Sequence, residues 1–227
     1  MKEFENHLGK LVKIEISGNI VHHGRLVDCG LDILVIYNGR DYLYIPSLHI
    51  QHFKENIDND ELESQISGKT ESPISDDLNK ISYRKILGNA KGGFVEIYVT
   101  GKQTIHGYIT NIMNDYFTFY SPVYKTMFIS MDHMKWLMPY NSVRTPYSLK
   151  KDQLPVIPSS ISLSRTLEEQ LKKIEGKLVV FDIAENPDKI GLLQKIENKT
   201  IELITAREER IYLNQRHLKT VHMPWLE

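Results

Sequence analysis

Apolar and polar residues alternate with a period of two along most of the chain. In Leu11–Ile16 the apolar positions Leu11, Val12, Ile14 and Ile16 are separated by Lys13 and Glu15, the signature of a strand with one buried face. The same reading predicts strands over 20–27, 32–37, 41–45 and 50–53. Asn38-Gly39, between two of these runs, is the dipeptide favoured by a type I′ hairpin because both central residues need positive φ. A helical period is clearest over 163–174, where Leu163, Leu167, Leu171 and Ile174 share one face. Shorter helices are predicted over 3–8 and 82–87.

The pattern recurs. Segments 44–53, 128–137 and 212–221 each read as an aromatic and an aliphatic residue, a polar turn, then His followed by an aliphatic residue. The histidines, His49, His133 and His217, fall 84 residues apart both times. Upstream, 33–36, 117–120 and 201–204 are equivalent strands rich in β-branched and aromatic residues. Gly24, Gly107 and Gly191 align, as do Gly9, Gly92 and Gly176 at the start of each unit. Repetition at a fixed period divides the chain before any other signal does. Each unit predicts a short helix followed by five strands, and a glycine inside a strand marks a bulge or bend that curls a short sheet. A five-stranded sheet this small hides its edges by closing. The expectation is a mainly β protein of three tandem five-stranded barrels of the Sm-like or SH3-like kind, each preceded by a short helix.

The domain boundaries follow: a first repeat at 1–54, an acidic polar linker at 55–80, a second repeat at 81–140, a proline-containing linker at 141–162, and a third repeat with its helix at 163–227. The first linker lacks an apolar period and is expected to be mobile. The second, with Pro146, Pro155 and Pro158, is expected to be extended and stiffer, Leu154, Val156 and Ile157 being able to lie along a barrel.

Charge changes the picture only by exclusion. Lys and Arg number 28 against 29 Asp and Glu among 227 residues, so no global field draws the molecule to nucleic acid or anionic membrane. One cysteine, Cys29, rules out an intramolecular disulfide. Neither a leader pattern nor a run of about 20 apolar residues is present, so synthesis is expected in the cytoplasm.

Candidate chemistry is sparse. His22-His23 and His49-x-x-His52 have metal-compatible spacing, yet neither comes with a carboxylate or cysteine set in ligand order, and no metal or other cofactor is expected. Cys29 sits beside Gly30 in an expected turn with no repeat partner at the corresponding positions and reads as structural, Lys91-Gly92-Gly93 is only a fragment of a phosphate loop, and Asp76-Asp77 and Glu208-Glu209 read as solvated surface. No catalytic residues are expected, and the chain reads as a non-enzyme. His49, His133 and His217, with Gly24, Gly107 and Gly191, are expected to be structural turn residues, each imidazole capping its turn through a backbone group. Arg40, Tyr42, Tyr44, Tyr124, Lys125 and Arg210 are candidates for an interaction surface on the hairpin strands. A basic rim with aromatic platforms also suits single-stranded nucleic acid, which makes a small regulatory nucleic-acid-binding module the competing reading.

These residues resemble the repeat of spore coat protein B from endospore-forming bacteria. The resemblance lies in Gly-Arg-Leu-Val-Asp at 24–28, Asp-Ile-Leu-Val-Ile-Tyr at 32–37 and Tyr-Leu-Tyr-Ile-Pro-x-x-His-Ile at 42–50. It spans about two thirds of the chain as three units. The family's glycine-glycine-proline hairpin is replaced here by Ile16-Ser17-Gly18-Asn19, and its Ser/Lys/Arg-rich tail is missing before Glu227. The resemblance implies a structural coat protein, made in the mother cell and laid down around the spore, whose partners are other coat proteins or itself. The Sm-like RNA signature is not matched: 28–32 ends in Asp32 where that turn requires Asn, and no Arg-Gly occurs.

Overall fold

The computed structural model describes residues 2–55, 66, 81–140, 146–150, 153–156 and 161–224. Nearly all of the 55–80 linker, Asp76-Asp77, Ile157 and Pro158 lie outside these residues, and with them the expectation of a mobile first linker. Of the second linker, Leu154 is buried and Val156 exposed.

The protein is mainly β. The first repeat comprises helix α1 (Lys2–Glu5) and strands β1 (Leu11–Ile16), β2 (Ile20–Cys29), β3 (Ile33–Tyr37), β4 (Tyr42–Pro46) and β5 (Ile50–Glu55). The second comprises α2 (Tyr83–Ala90), β6 (Phe94–Tyr98), β7 (Ile105–Ile112), β8 (Tyr116–Ser121), β9 (Lys125–Ser130) and β10 (Trp136–Pro139). The third comprises α3 (Leu167–Lys172), β11 (Leu178–Phe181), β12 (Ile190–Glu197), β13 (Thr200–Ile204), β14 (Arg210–Asn214) and β15 (Thr220–His222). α1 and α3 are shorter than the pattern predicts, whereas α2 runs three residues further than 82–87; α3 begins at a capping box, with Thr166 accepting from Glu169 N–H, so Leu163 precedes it.

Two compact units are present, Met1–Ala90 with Val95–Ile97 and Lys135–Tyr140, and Lys91–Phe94 with Tyr98–Met134 and Asn141–Glu227. In the first the strand order is β6-β10-β4-β3-β2-β1-β5; in the second it is β14-β13-β12-β11-β15-β9-β8-β7. The strand pairings are antiparallel. Within repeats 1 and 3 the order is fourth-third-second-first-fifth. Both orders are open. Closure of each five-strand set on itself, expected from the sequence, is not among the pairings of the described residues.

Local chemistry explains the shared geometry. Gly9, Gly92 and Gly176 take φ of +79°, +79° and +78°, a conformation that ends the preceding helical turn and that glycine adopts without strain. Their N–H groups donate to the carbonyls of Leu26, Ile109 and Leu193 at 2.8, 3.2 and 2.8 Å. At those same three residues the ladder to the third strand slips by one position. The bulge thus sits where the incoming chain takes one of the second strand's carbonyls. Two to three residues before it, Gly24, Gly107 and Gly191 are pressed against the neighbouring strand: a Cβ would lie 2.6 Å from Tyr37 O, 2.1 Å from Tyr120 O and 2.4 Å from Ile204 O. Only glycine fits such an approach.

The alternating faces bury Ile14, Ile16, Leu26, Ile33, Leu34 and Ile36 in the first unit. In the second, Leu167, Leu171 and Ile174 pack with Val179, Phe181, Leu193, Ile201 and Leu203, and the second repeat lends Tyr116 and Phe128 to the same cluster. The third repeat's core is therefore completed by its predecessor, and apolar burial across that boundary links their stabilities.

Candidate assembly interface

A fifth strand serves two repeats at once. β10, from the second repeat, lies against β4 of the first, with Leu137 opposite Tyr44. β15, from the third, lies against β9 of the second, with Val221 opposite Phe128. Leu137 and Val221 are both 84 residues apart, as are Tyr44 and Phe128, so the two junctions share one register. Ser130 N–H donates to Lys219 O at 2.9 Å across the second junction. Tyr44, Leu137, Phe128 and Val221 are fully buried.

A second contact repeats alongside. Asp32 and Asp115 immediately precede β3 and β8, and each carboxylate accepts from the first turn of the following repeat's helix: Asp32 Oδ1 from Tyr83 N–H at 2.6 Å, Asp115 Oδ1 from Leu167 N–H at 2.8 Å. These donors are among the N–H groups a helix cannot satisfy internally, and a negative charge complements the helix dipole there. Beside them, Leu31 N–H donates to Ile81 O at 2.9 Å and Asn114 N–H to Arg165 O at 3.0 Å. The equivalent residue of the third repeat is Lys199, whose side chain has no acceptor to offer.

Behind α3, the Tyr116 hydroxyl donates to Ser164 O at 2.8 Å and lies 3.1 Å from Gln170 Oε1, which also accepts from Ser164 N–H at 2.7 Å. Burial pushes the Tyr116 phenol up to about 12.

Asp182 was not singled out by the sequence, yet it seats β15. Its carboxylate is 1% exposed, accepts from the backbone N–H groups of Lys219 at 2.8 Å and Thr220 at 3.0 Å, and pairs with Lys189. Asp182, Ile183 and Ala184 take φ of +48°, +52° and +60°, an uncommon run for residues with side chains that their surroundings must enforce. Around it, Thr100 donates to Glu185 at 2.7 Å and accepts from Lys219 Nζ at 2.8 Å. The Thr100 hydroxyl holds Glu185 below the usual carboxylate range, with Lys219 and Lys189 acting in the same direction.

The three repeated histidines close equivalent 3-10 turns, Ser47–His49, Met131–His133 and Gln215–His217, but their surroundings differ. His49 is buried and its Nδ1 lies 3.1 Å from the Ser17 hydroxyl; His133 is half-buried with Nδ1 3.0 Å from the Ser130 hydroxyl; His217 is exposed. A serine hydroxyl is thus a side-chain partner of His49 and of His133. Burial lowers the His133 pKa, opposed by Asp182 and Asp132.

The hairpin residues differ in their exposure and partners. Arg40, at the β3–β4 tip, is exposed beside Asp41 at 3.6 Å. Tyr42 is half-buried on Tyr37, ring centroids 4.8 Å apart, and Tyr44 faces the interior opposite Leu137 instead of solvent. Tyr124 leans on His222 at 5.4 Å and its hydroxyl accepts from Gln103 at 3.2 Å. Lys125 is exposed with φ +58°, and Arg210 is exposed and paired with Glu202 at 2.7 Å. Cys29 is buried at the end of β2. Of the metal-spaced histidines, His52 is exposed with Nδ1 3.2 Å from Glu15, while burial pulls His22 down to about 4. Among the described residues no three His, Cys, Asp or Glu side chains cluster to hold a metal, and no helix is long and apolar enough to cross a membrane.

Residues 166–221 match the family described as the YwrJ third domain. The chain is 46% identical over 225 residues to the "Uncharacterized protein YwrJ" of Bacillus subtilis (strain 168), covering 99% of this chain and 100% of the relative. Identity at that level over the full length of both chains makes this protein a member of the YwrJ family.

Proposed function

We propose that this protein is a structural component of the bacterial spore coat that acts through protein–protein contacts at its strand edges. The observation that carries the reading is the single register used at both internal junctions, Leu137 opposite Tyr44 and Val221 opposite Phe128. A chain that uses the same edge-to-edge joint twice is built for assembly by strand addition, in which backbone hydrogen bonds supply affinity and side-chain pairs supply register. The resemblance of 24–28, 32–37 and 42–50 to the spore coat protein B repeat supplies the location. Each repeat is read here as a strongly curled Sm-like or SH3-like sheet, the bulges at Leu26, Ile109 and Leu193 producing the curl.

The test is a fluorescent fusion expressed from its own promoter in sporulating Bacillus subtilis, together with retention of mixed single-stranded RNA and DNA by the purified protein at moderate salt. A ring of fluorescence around the forespore, without retention, is the expected result. Diffuse fluorescence with salt-sensitive retention would replace this reading with the nucleic-acid module.

A further inference from the structure

Two internal junctions use up the fourth strands of repeats 1 and 2 and the fifth strands of repeats 2 and 3. One strand of each kind is left. Among the described residues, β5 has β1 as its single ladder neighbour and β14 has β13 as its own. From this we infer that the chain self-associates head to tail, β5 of one copy adding antiparallel to β14 of the next in the register of the internal junctions. The inference rests on the edge-assembly part of the proposed function and names the partner as a second copy of this chain.

The register can be stated residue by residue. Moving the junction by one repeat in each direction puts Phe53 opposite Tyr212, as Leu137 is opposite Tyr44 and Val221 opposite Phe128. Counting outward, Gln51 then faces Asn214 and Glu55 faces Arg210. An aromatic pair lies at the centre and opposite charges lie at one end, both favourable cross-strand pairs; within one chain Phe53 packs on Phe4, Glu55 pairs with His7 and Lys10, and Arg210 pairs with Glu202, so the charge pair forms by exchange or sharing of these partners.

Backbone donors are available in that register. Ser130 N–H donates to Lys219 O at the second junction, and Asn214 and Gln51 are their repeat equivalents. On the other side of β14, Thr205 N–H donates to Glu209 O at 3.0 Å. Ladder bonds recur at every second residue, so this bond assigns 211 and 213 to bonding with β13 and leaves the N–H groups of 210, 212 and 214 pointing away from it. Tyr212, at 63% exposed, is the largest apolar side chain open to solvent on that strand. The junction between copies lacks one part of the internal ones, since Lys199 stands where Asp32 and Asp115 hold the next helix. Association is therefore weaker than the internal joints and depends on concentration. Such a contact is heterologous, so it propagates into a ring or a filament.

Proline substitution separates this from other modes of association, because an outward N–H on an edge strand can be removed without touching the strand's own ladder. Sedimentation velocity of the full chain, across about 1 to 500 μM, should show wild type moving to larger species as concentration rises. Tyr212→Pro and Gln51→Pro, each folded by circular dichroism, should sediment as monomers alone. Their equimolar mixture should form a dimer and stop, since each supplies the edge the other lacks. As a check free of proline, Arg210→Glu should weaken association and the added Glu55→Arg should restore it. A wild type that stays monomeric throughout, or single-proline variants that still associate, would overturn the inference. Those results leave the coat reading standing if the fluorescent ring persists, whereas loss of the ring with association intact sinks the coat reading alone.

Discussion

Replacing Gly107 with alanine introduces a Cβ 2.1 Å from the Tyr120 carbonyl oxygen and 2.8 Å from a ring carbon of Phe119. Ordinary contact begins near 3.4 Å, so β7 and β8 must separate locally by roughly 1 Å, and the neighbour is buried backbone that has nowhere to turn. Overpacking of this sort costs about 1–3 kcal/mol, and one weakened ladder bond adds about 1 kcal/mol. The loss of unfolded-state freedom on going from glycine to alanine returns about 0.4–1 kcal/mol. The net is about 2 kcal/mol of destabilisation, or a fall in Tm of about 4–8 °C for a chain of this size. Gly88 provides the internal control. It lies in α2 with nothing within 4 Å of an added Cβ and no positive φ, so Gly88→Ala should stabilise by about 0.5–1 kcal/mol. Thermal and urea unfolding of both variants, with Gly191→Ala and Gly24→Ala as intermediate cases, should rank the losses in the order 107, 191, 24, following the 2.1, 2.4 and 2.6 Å approaches. A Gly107→Ala protein that melts at or above wild type would refute the close-approach argument.

Asp115→Ala removes the exposed carboxylate that holds Leu167 N–H; because water can take its place, the loss should be about 0.5–1.5 kcal/mol, seen as faster amide exchange across 166–172, while Lys199→Ala stays within about 0.5 kcal/mol of wild type. His222 is buried and its pKa is pulled down to about 4 by desolvation, so between that value and the unfolded value of about 6.5 the unfolded chain binds the extra proton. Stability is therefore complete above about pH 6.5 and falls on acidification, by up to about 3 kcal/mol at pH 4, with His22 acting in the same direction; a urea midpoint unchanged from pH 7 to pH 5 would contradict this. His49→Ala, at a buried ring bonded to Ser17, should cost about 1–3 kcal/mol, whereas His217→Ala, at an exposed ring, should leave the melt unchanged.

Much of each repeat was legible because its signals are local. β1 matches its alternating run residue for residue, and β2 to β5 differ from the pattern by two residues or fewer at either end; Gly24, Gly107 and Gly191, aligned as markers of a bulge or bend, are also places where a Cβ would press on the neighbouring strand. What the pattern did not reveal is where each fifth strand goes. Trp136–Pro139 and Thr220–His222 are short, and their alternation specifies a buried face without saying whose edge they meet. The closed-barrel expectation came from hiding edges within a repeat, whereas β4 and β9 are covered by the next repeat's strand. A signal for the junction was present in Asp32 and Asp115 against Lys199, an acidic residue before the third strand wherever another helix follows. Asp182 had no such signal, since its partners are backbone N–H groups 37 and 38 residues away.

The lending of a strand from one repeat to its predecessor also sets a timetable for synthesis. β4 is finished at Pro46, but its covering strand begins at Trp136, 90 residues later. At about 5–20 residues per second on the ribosome, the Tyr42–Pro46 edge waits on the order of 5–20 s for its partner. During that interval the nascent first repeat carries a bare apolar strand, the most aggregation-prone element a small sheet can present. A fragment cut at the end of the first repeat would hold that exposure permanently. Soluble truncations should therefore retain β10, and crowded polysomes, where several unfinished chains stand side by side with β4 uncovered, are where this protein is most vulnerable to mispairing.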